Sequence, residues 1–397
     1  MSMTSSPAAP RFKLAVQNPS SHVRRGCVVT PWGPIAQKTG IPTPELVLRH
    51  DWGPPLRAQV DEIDPDDHSR DALSFILDDG VPPGADDYSL NSTFLTLERG
   101  EPAGEPGPEV IVVGPQGLEE GFKLVNDSLQ IGFSLLPQPW GDLRNWYAGS
   151  AISVVYLGKE ILDPFLAEIT WQEHDSEKRC MQIDRIRLPR PAWEPEGWQE
   201  ETLFGKPYRL LHHSHGPVRA CATVASAPFD YDFVNPLTGR LGGLECRLYR
   251  VLSLFHQADY VIEELYVKGV PKDAPGASPV DLSFTARYFA YMDIGWFPAI
   301  THLAQIPDWF AIGSNEPPFP GYGFATDVHA APVANPHPSY SDAEKRHKSF
   351  SWEIGMSRGA QCLHLFERGL RPGPLADSAG RKWYDYVYKP LRAMLLG

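Results

Sequence analysis

The stretch "LECRLYRVLSLFHQADYVIEELYVKG" at residues 244–269 decides the fold class. Its first half alternates, with Glu245, Arg247 and Tyr249 on one side of an extended chain. The breaker "HQAD" interrupts the alternation and "YVIEELYVKG" resumes it, which predicts a hairpin closed by a short polar turn. The same period recurs along the chain. "EVIVVG" at 109–114 predicts a short buried strand, and "SAISVVYLG" at 150–158 and "CMQIDRIRL" at 180–188 predict two more. "GPVRACATVAS" at 216–226 sets Val218, Ala220, Ala222 and Val224 on one face and Arg219, Cys221 and Thr223 on the other. "DLSFTARYFAYMD" at 281–293, "GFATDVHA", "KSFSWEIG" and "CLHLFER" alternate as well.

Many short strands separated by turn formers imply an all-β protein. The expected architecture is a large antiparallel β-sandwich, or two fused β-barrel or jelly-roll-like domains, with few short helices. Helical patterns are confined to one turn at "DAEKRH", 342–347, and a terminal helix in "KWYDYVYKPLRAML", 382–395, broken at Pro390.

The chain has 397 residues, of which 42% are hydrophobic and 21% charged, enough for a substantial core. Its net charge of −13 comes from 49 acids against 36 bases and argues against a nucleic-acid partner. No apolar run is long enough to span a membrane. The N-terminus lacks the apolar segment of a secretory signal, so the expected location is cytoplasmic. The five cysteines, Cys27, Cys180, Cys221, Cys246 and Cys362, are odd in number and form no CxxC pair. Reduced thiols are expected, with Cys221 and Cys246 in the core. The 40 prolines are spread along the whole chain and resist long helices.

Residues 1–20 look like a mobile tail, 21–108 a proline-rich β region, and 109–397 the main β domain. "ERGEPAGEPGPE" at 98–109 and "PRPAWEPEGWQEE" at 189–201 read as breaks rich in turn formers.

"GPVRACATV" followed by "LECRLYRVLSLFHQADYVIEELYVKG" resembles consecutive elements of galactose-mutarotase-like β-sandwich domains. There a strand beginning Gly-Pro-Val-Arg-Ala leads into a long hairpin whose second strand starts at Tyr-Val. The resemblance covers 216–269 and carries no catalytic motif. It implies a β-sandwich of the kind found in carbohydrate-active lyases and hydrolases.

Candidate chemistry gathers in "DVHAAPVANPHPSYSDAEKRHKSFSWEIG", 327–355. Read as a strand, "HKSFSWEIG" sends Phe350, Trp352 and Ile354 to the core and presents His347, Ser349, Ser351 and Glu353 on the polar face. Asp327 and His329 share a face in "GFATDVHA". On the neighbouring pattern Thr285, Arg287, Phe289 and Tyr291 line one face. The candidate acid and base groups are His347, His329, Tyr340 and Glu353, with Arg287 holding developing negative charge. Tyr291, Trp296, Trp309, Asp327 and His337 are candidate substrate contacts. The competing reading makes these side chains a solvated face, and Trp296 and Trp309 loop anchors on the core. Arg247 reads as an ion pair with Glu245. His213 and His215 share a face in "LLHHSHG", but nothing fixes a third ligand, so no metal is assigned.

The sequence lacks GxGxxG after a strand, a phosphate loop, a GxSxG elbow and a Cys-His signature. The expected chemistry is therefore independent of any cofactor. A carbon–oxygen lyase or glycoside-cleaving enzyme acting on a sugar or glycoside fits best. A cyclase, hydratase or isomerase of secondary metabolism with a lipocalin-like apolar pocket is a second reading, and a non-catalytic carbohydrate-binding module a third. The expected partner is a small molecule or oligosaccharide, not a nucleic acid or a membrane.

Overall fold

In the computed structural model the described residues are 11–18, 24–43, 46–50, 53–82, 92–100, 107–114, 120–136, 148–149, 151–160, 180–190, 197–203, 206–234, 241–291, 302–306, 309–313, 320–326, 330–333, 349–368 and 392–395. For residues 288–291 and the strands between 302 and 354 the description is of backbone alone.

The first six strands are β1 (Phe12–Gln17), β2 (Arg24–Pro31), β3 (Leu46–His50), β4 (Ala58–Asp61), β5 (Ala72–Val81) and β6 (Ser92–Arg99). Next come β7 (Glu109–Val113), β8 (Gly121–Val125), β9 (Leu129–Ser134), β10 (Ala151–Tyr156), β11 (Lys159–Glu160), β12 (Cys180–Pro189) and β13 (Trp198–Thr202). The middle of the chain supplies β14 (Tyr208–His215), β15 (Arg219–Ser226), β16 (Phe229–Val234), β17 (Leu241–Phe255), β18 (Tyr260–Pro271), β19 (Val280–Leu282) and β20 (Phe284–Tyr291). The last strands are β21 (His302–Ile306), β22 (Trp309–Gly313), β23 (Pro320–Thr326), β24 (Ala330–Val333), β25 (Ser349–Ser357), β26 (Ala360–Arg368) and β27 (Arg392–Leu395). Among the described residues the one α-helix is α1 (Gly33–Thr39). It has Pro34 in its first turn and ends at Gly40, whose left-handed φ of 60° closes it. No described helix is long and apolar enough to cross a membrane.

The chain divides into two compact units, one of residues 1–109, 212–221 and 389–397, the other of 110–211 and 222–388. The first unit is thus discontinuous, unlike the contiguous division expected from composition. Its sheets run β27-β1-β6-β3 and β2-β5-β4. Leu14, Val16, Leu48, Phe75, Leu95 and Leu97 are fully buried between them. Part of the expected tail is therefore structured: β1 lies inside the four-stranded sheet because Leu14 and Val16 alternate inward. The expected terminal helix, 382–395, is corrected at its end, and 382–391 lie outside the described residues. Residues 392–395 extend along β1, with Leu395 opposite Leu14 and Ala393 opposite Val16, so that β1 has neighbours on both sides.

The second unit is an antiparallel β-sandwich, as the alternation predicts. One sheet runs β24-β25-β20-β12-β10-β9-β8-β7, with β11 on β10 and β13 on β12. The other runs β14-β15-β17-β18-β26-β23-β22-β21, with β16 on β17 and β19 on β18. The quoted hairpin is β17 and β18, in register from Leu244↔Pro271 to Leu254↔Val261. Cys246, Leu248, Leu252, Leu254, Leu265 and Val267 fill its inner face. Each fully buried aliphatic side chain of this kind contributes about 1.5–3 kcal/mol.

β15 is buried on both faces from Arg219 to Ser226, Arg219 and Thr223 included. Two local expectations are corrected. β7 is the edge of its sheet, and only Val110 is buried while Ile111, Val112 and Val113 are exposed. The aromatic segment around Trp309 contains a hairpin, β21 and β22, with Trp309 opposite Ile306.

Candidate functional site

A slip in β12 brings two arginines to one face of the sheet. Strict alternation in "IDRIRL" would place Ile183, Arg185 and Arg187 on one face. The ladder to β20 shifts register between Ile183 and Arg185, which inserts one extra residue, Asp184. Ile183, Ile186 and Leu188 then all turn inward and are buried. Arg185 and Arg187 turn outward together. Across the ladder Arg185 faces Arg287 and Arg187 faces Thr285, while Phe284 and Ala286 are buried on the inner side. On the other flank β13 pairs Arg187 with Glu200, Arg185 with Thr202 and Pro189 with Trp198.

Arg185, Arg187, Thr285 and Arg287 line a shallow pocket with about 10 Å³ of free volume, roughly enough for one water-sized group. Glu200 braces its rim. Arg185 Nη1 donates to Glu200 at 3.0 Å and Arg187 Nε donates at 2.8 Å. Burial works to raise the Glu200 pKa, but the hydrogen bonds and charges of Arg187 and Arg185 hold it below its ordinary value. Arg185 Nε is buried, and among the described residues no hydrogen-bond partner reaches it. Trp198, two residues from Glu200 on the same side of β13, is 47% exposed. The intervening Gln199 donates to the Asp230 carbonyl of β16, which fixes the phase of β13.

Of the sequence-derived candidates, Arg287 lines this pocket. Glu353 is its direct partner across the β20–β25 ladder, and Tyr291 pairs with Ser349 and Cys180 at the end of the same strand. Trp352 is opposite Tyr288. Trp309 belongs to β22 in the other sheet. His347, His329, Tyr340, Trp296, Asp327 and His337 lie outside the described residues. Thr326 ends β23 and Ala330 begins β24 in the opposite sheet, so "GFATDVHA" is not one strand. His213 and His215 are both exposed on β14, and no described group of three His, Cys, Asp or Glu could hold a metal ion. Arg247 pairs with Glu245 at 3.5 Å, at the exposed end of β17.

Sequence reasoning missed Arg185, Arg187, Glu200 and Trp198. The signal for the arginines was the "RIR" triplet, hidden because a bulge cannot be read from alternation. Trp198 and Glu200 were hidden because 189–201 reads as a break, whereas its end is β13.

Two buried ionic networks also escaped the sequence. In the sandwich, Arg250 Nε donates to Glu263 at 2.5 Å, and His364 Nε2 lies 3.0 Å from the other Glu263 oxygen. Arg250 also donates to the Gly149 carbonyl. Gly149 has a φ of +72°, and a Cβ there would fall 2.1 Å from Tyr208. Arg250, Glu263 and His364 are each at most 2% exposed, so this network is framework and not a substrate site. In the first unit Arg219 Nε donates to Asp61 at 2.7 Å, and Ser74 and Ser214 donate to the same carboxylate at 3.1 and 3.0 Å. Gln59 accepts from the Val218 and Arg219 amides at 2.7 and 2.9 Å and donates to the Arg219 carbonyl at 2.9 Å. The Gly-Pro-Val-Arg stretch is thus an anchored turn.

No family model and no curated protein matches the chain. Similar solved structures include a protein in glycosyl hydrolase family 38 from Enterococcus faecalis, at 10% identity and a TM-score of 0.46, covering 98% of this chain and 47% of that one. Another is an alpha-mannosidase from Enterococcus faecalis V583, at 9% identity and a TM-score of 0.45, covering 99% of this chain and 46% of that one. The chain spans about half the length of each.

Proposed function

We propose that the chain acts on a sugar or glycoside by acid/base chemistry at the outer face of the sheet containing β12, β13, β20 and β25. One observation carries this reading: the register lines up Glu353, Arg287, Arg185 and Thr202 across four adjacent strands, with the exposed ring of Trp198 nearby on β13. A sugar site needs polar groups that fix hydroxyls and an aromatic surface against which a ring can pack. In this reading Glu353, His347, His329 and Tyr340 are the candidates for moving protons, and Arg287 stabilises negative charge as it develops.

Two reactions fit these roles. In glycoside cleavage, a carboxylic acid protonates the leaving oxygen and a second group activates water or attacks directly. In elimination, a base removes a proton from the carbon next to a carboxylate, a carbon–carbon double bond forms, and the carbon–oxygen bond beyond it breaks. The test is a panel of neutral and acidic oligosaccharides incubated with purified protein. New reducing ends without ultraviolet absorbance mean hydrolysis. New reducing ends with an absorbing unsaturated product mean elimination. Loss of either activity in Glu353→Gln supports the reading, and undiminished activity in that variant removes Glu353 from it.

A second reading, binding without turnover, draws support from the openness of the site: Trp198 is 47% exposed beside a shallow pocket. Saturable binding of an oligosaccharide that remains intact would favour it.

A further inference from the structure

We infer that the free edge of β7 pairs with the same edge of a second copy of this chain, about a two-fold axis at Ile111, to form a weak antiparallel dimer. The inference is independent of the carbohydrate reading above.

The first argument is what β7 leaves uncovered. Ile111, Val112 and Val113 are consecutive and 44%, 38% and 40% exposed. Successive side chains of a strand point to opposite faces, so a partner lying on one face of the sheet would cover only some of them. A strand laid along the edge covers them all. The second argument is the backbone. The Val113 carbonyl accepts from the Glu120 amide at 3.0 Å, on the β8 side. Backbone groups alternate sides along an extended chain, so those of Val110 and Val112 face away from β8. There, among the described residues, no strand pairs with β7. Sheet edges are commonly guarded by proline or lysine. "EVIVV" carries neither, and every residue after Glu109 is β-branched.

The third argument selects the occupant. A two-fold axis at Ile111 sets Val110 of each copy against Val112 of the other, and each such pair exchanges its free amide and carbonyl bonds. Ile111 then meets its own counterpart, and Glu109 lies against Val113 instead of the other Glu109. The two carboxylates stand about 14 Å apart in that register, beyond the screening length of about 10 Å at 0.1 M salt. The contact is isologous, so one pairing consumes both edges and assembly stops at a dimer. It is also small. A single strand pair falls short of the roughly 800 Å² per partner of a stable interface, and each copy carries a net charge of −13. Association is therefore weak, and it strengthens as salt screens that repulsion.

The test is sedimentation velocity of the full chain over a concentration series at low and high salt, joined to a crosslinking experiment. The expected result is a shift from monomer toward dimer as concentration rises, with a lower midpoint at high salt. Val112→Pro removes an amide from the free edge, and Ile111→Lys puts like charges face to face on the axis. Each should abolish the shift and leave the melting curve unchanged. Ile111→Cys should form a disulfide-linked dimer under mild oxidation, because facing residues of a non-hydrogen-bonded pair have Cα atoms about 4.5 Å apart, within disulfide reach. Val113→Cys should not, since its counterpart lies about 14 Å away; the parent protein controls for the native thiols. If Val112→Pro fails to fold, the two cysteine variants decide. A chain that stays monomeric at every concentration and both salts overturns the inference and leaves this edge to a different partner. A dimer that survives Ile111→Lys overturns the assignment to β7. Equal crosslinking through Val113→Cys overturns the register, and growth beyond a dimer overturns the two-fold pairing.

Discussion

Arg185 on β12 and Arg287 on β20 are direct partners across an antiparallel ladder. Two guanidinium groups in that relation gain nothing from each other; Glu200 compensates Arg185, and Glu353 stands opposite Arg287 on the next strand. The cross-strand placement also lies beside a register shift, the kind of local irregularity that re-aims side chains at working surfaces.

Arg287→Gln removes this like-charge pair and also what Arg287 gains from its other neighbours, with Glu353 opposite it on β25, so the unfolding free energy should change by no more than about 1 kcal/mol in either direction. Urea denaturation of the two proteins side by side is the measurement. A fall of more than about 2 kcal/mol would place Arg287 in the framework and not in the site.

Glu263 makes the opposite case. Its burial alone would raise its pKa, but the Arg250 charge and the His364 hydrogen bond overcome that and bring it from 4.5 down to about 2. A carboxyl depressed in the folded state supplies stability above its unfolded pKa and loses it as pH falls through the folded one. The protein should therefore lose stability between about pH 4.5 and pH 2. Glu263→Gln should cost about 3–5 kcal/mol at pH 7, because Arg250 is left charged and buried. The variant's stability should also depend less on pH below 4.5. Denaturation at pH 7 and pH 3.5 tests both, and a pH dependence identical to that of the parent would show that Glu263 is not the titrating group.

Gln59 supports a local prediction. It bridges the Val218 and Arg219 amides and the Arg219 carbonyl. Gln59→Ala should sharply increase hydrogen exchange at those two amides, since turns held by few bonds open locally. Arg219→Ala should cost more, about 3–5 kcal/mol, because Asp61 loses its buried counter-charge. Unchanged exchange in Gln59→Ala would mean that the strand ends alone hold the turn.

The sequence revealed the sandwich because period-2 alternation is a direct consequence of one buried sheet face. The β17–β18 hairpin, the β25 strand and the core positions of Cys221 and Cys246 all follow from it. Alternation fails where that premise fails. β15 is buried on both sides, and alternation does not say that the face of Arg219, only 2% exposed, is also core. β27 pairs with β1 from the far end of the chain, and no local pattern reports so distant a partner. The arginine pocket depends on the extra residue at Asp184 and on a strand, β13, that begins in a proline-rich break. Arg287 was legible because its own strand is regular through Thr285. Arg185 was not, because only its partner's register shows which way it turns.

The last prediction concerns His347, two residues before β25. Glu353 on that strand is the direct partner of Arg287, so proton transfer at this face requires a group able both to accept and to donate near neutral pH. Histidine is the side chain whose ordinary pKa allows this, and His347 is the imidazole closest in sequence to the start of β25. If it is the general acid or base, His347→Ala should lower turnover of an accepted substrate by at least about a hundredfold. Stability should stay within about 1 kcal/mol if His347 stands on the polar face that the alternation of 347–355 expects. Turnover and a melting curve from one preparation decide between three accounts. Low turnover with an unchanged melting curve supports a chemical role, and low turnover with a lowered melting curve makes His347 structural. Full turnover removes it from the site and leaves Glu353 as the residue to test, through the pH profile of Glu353→Gln.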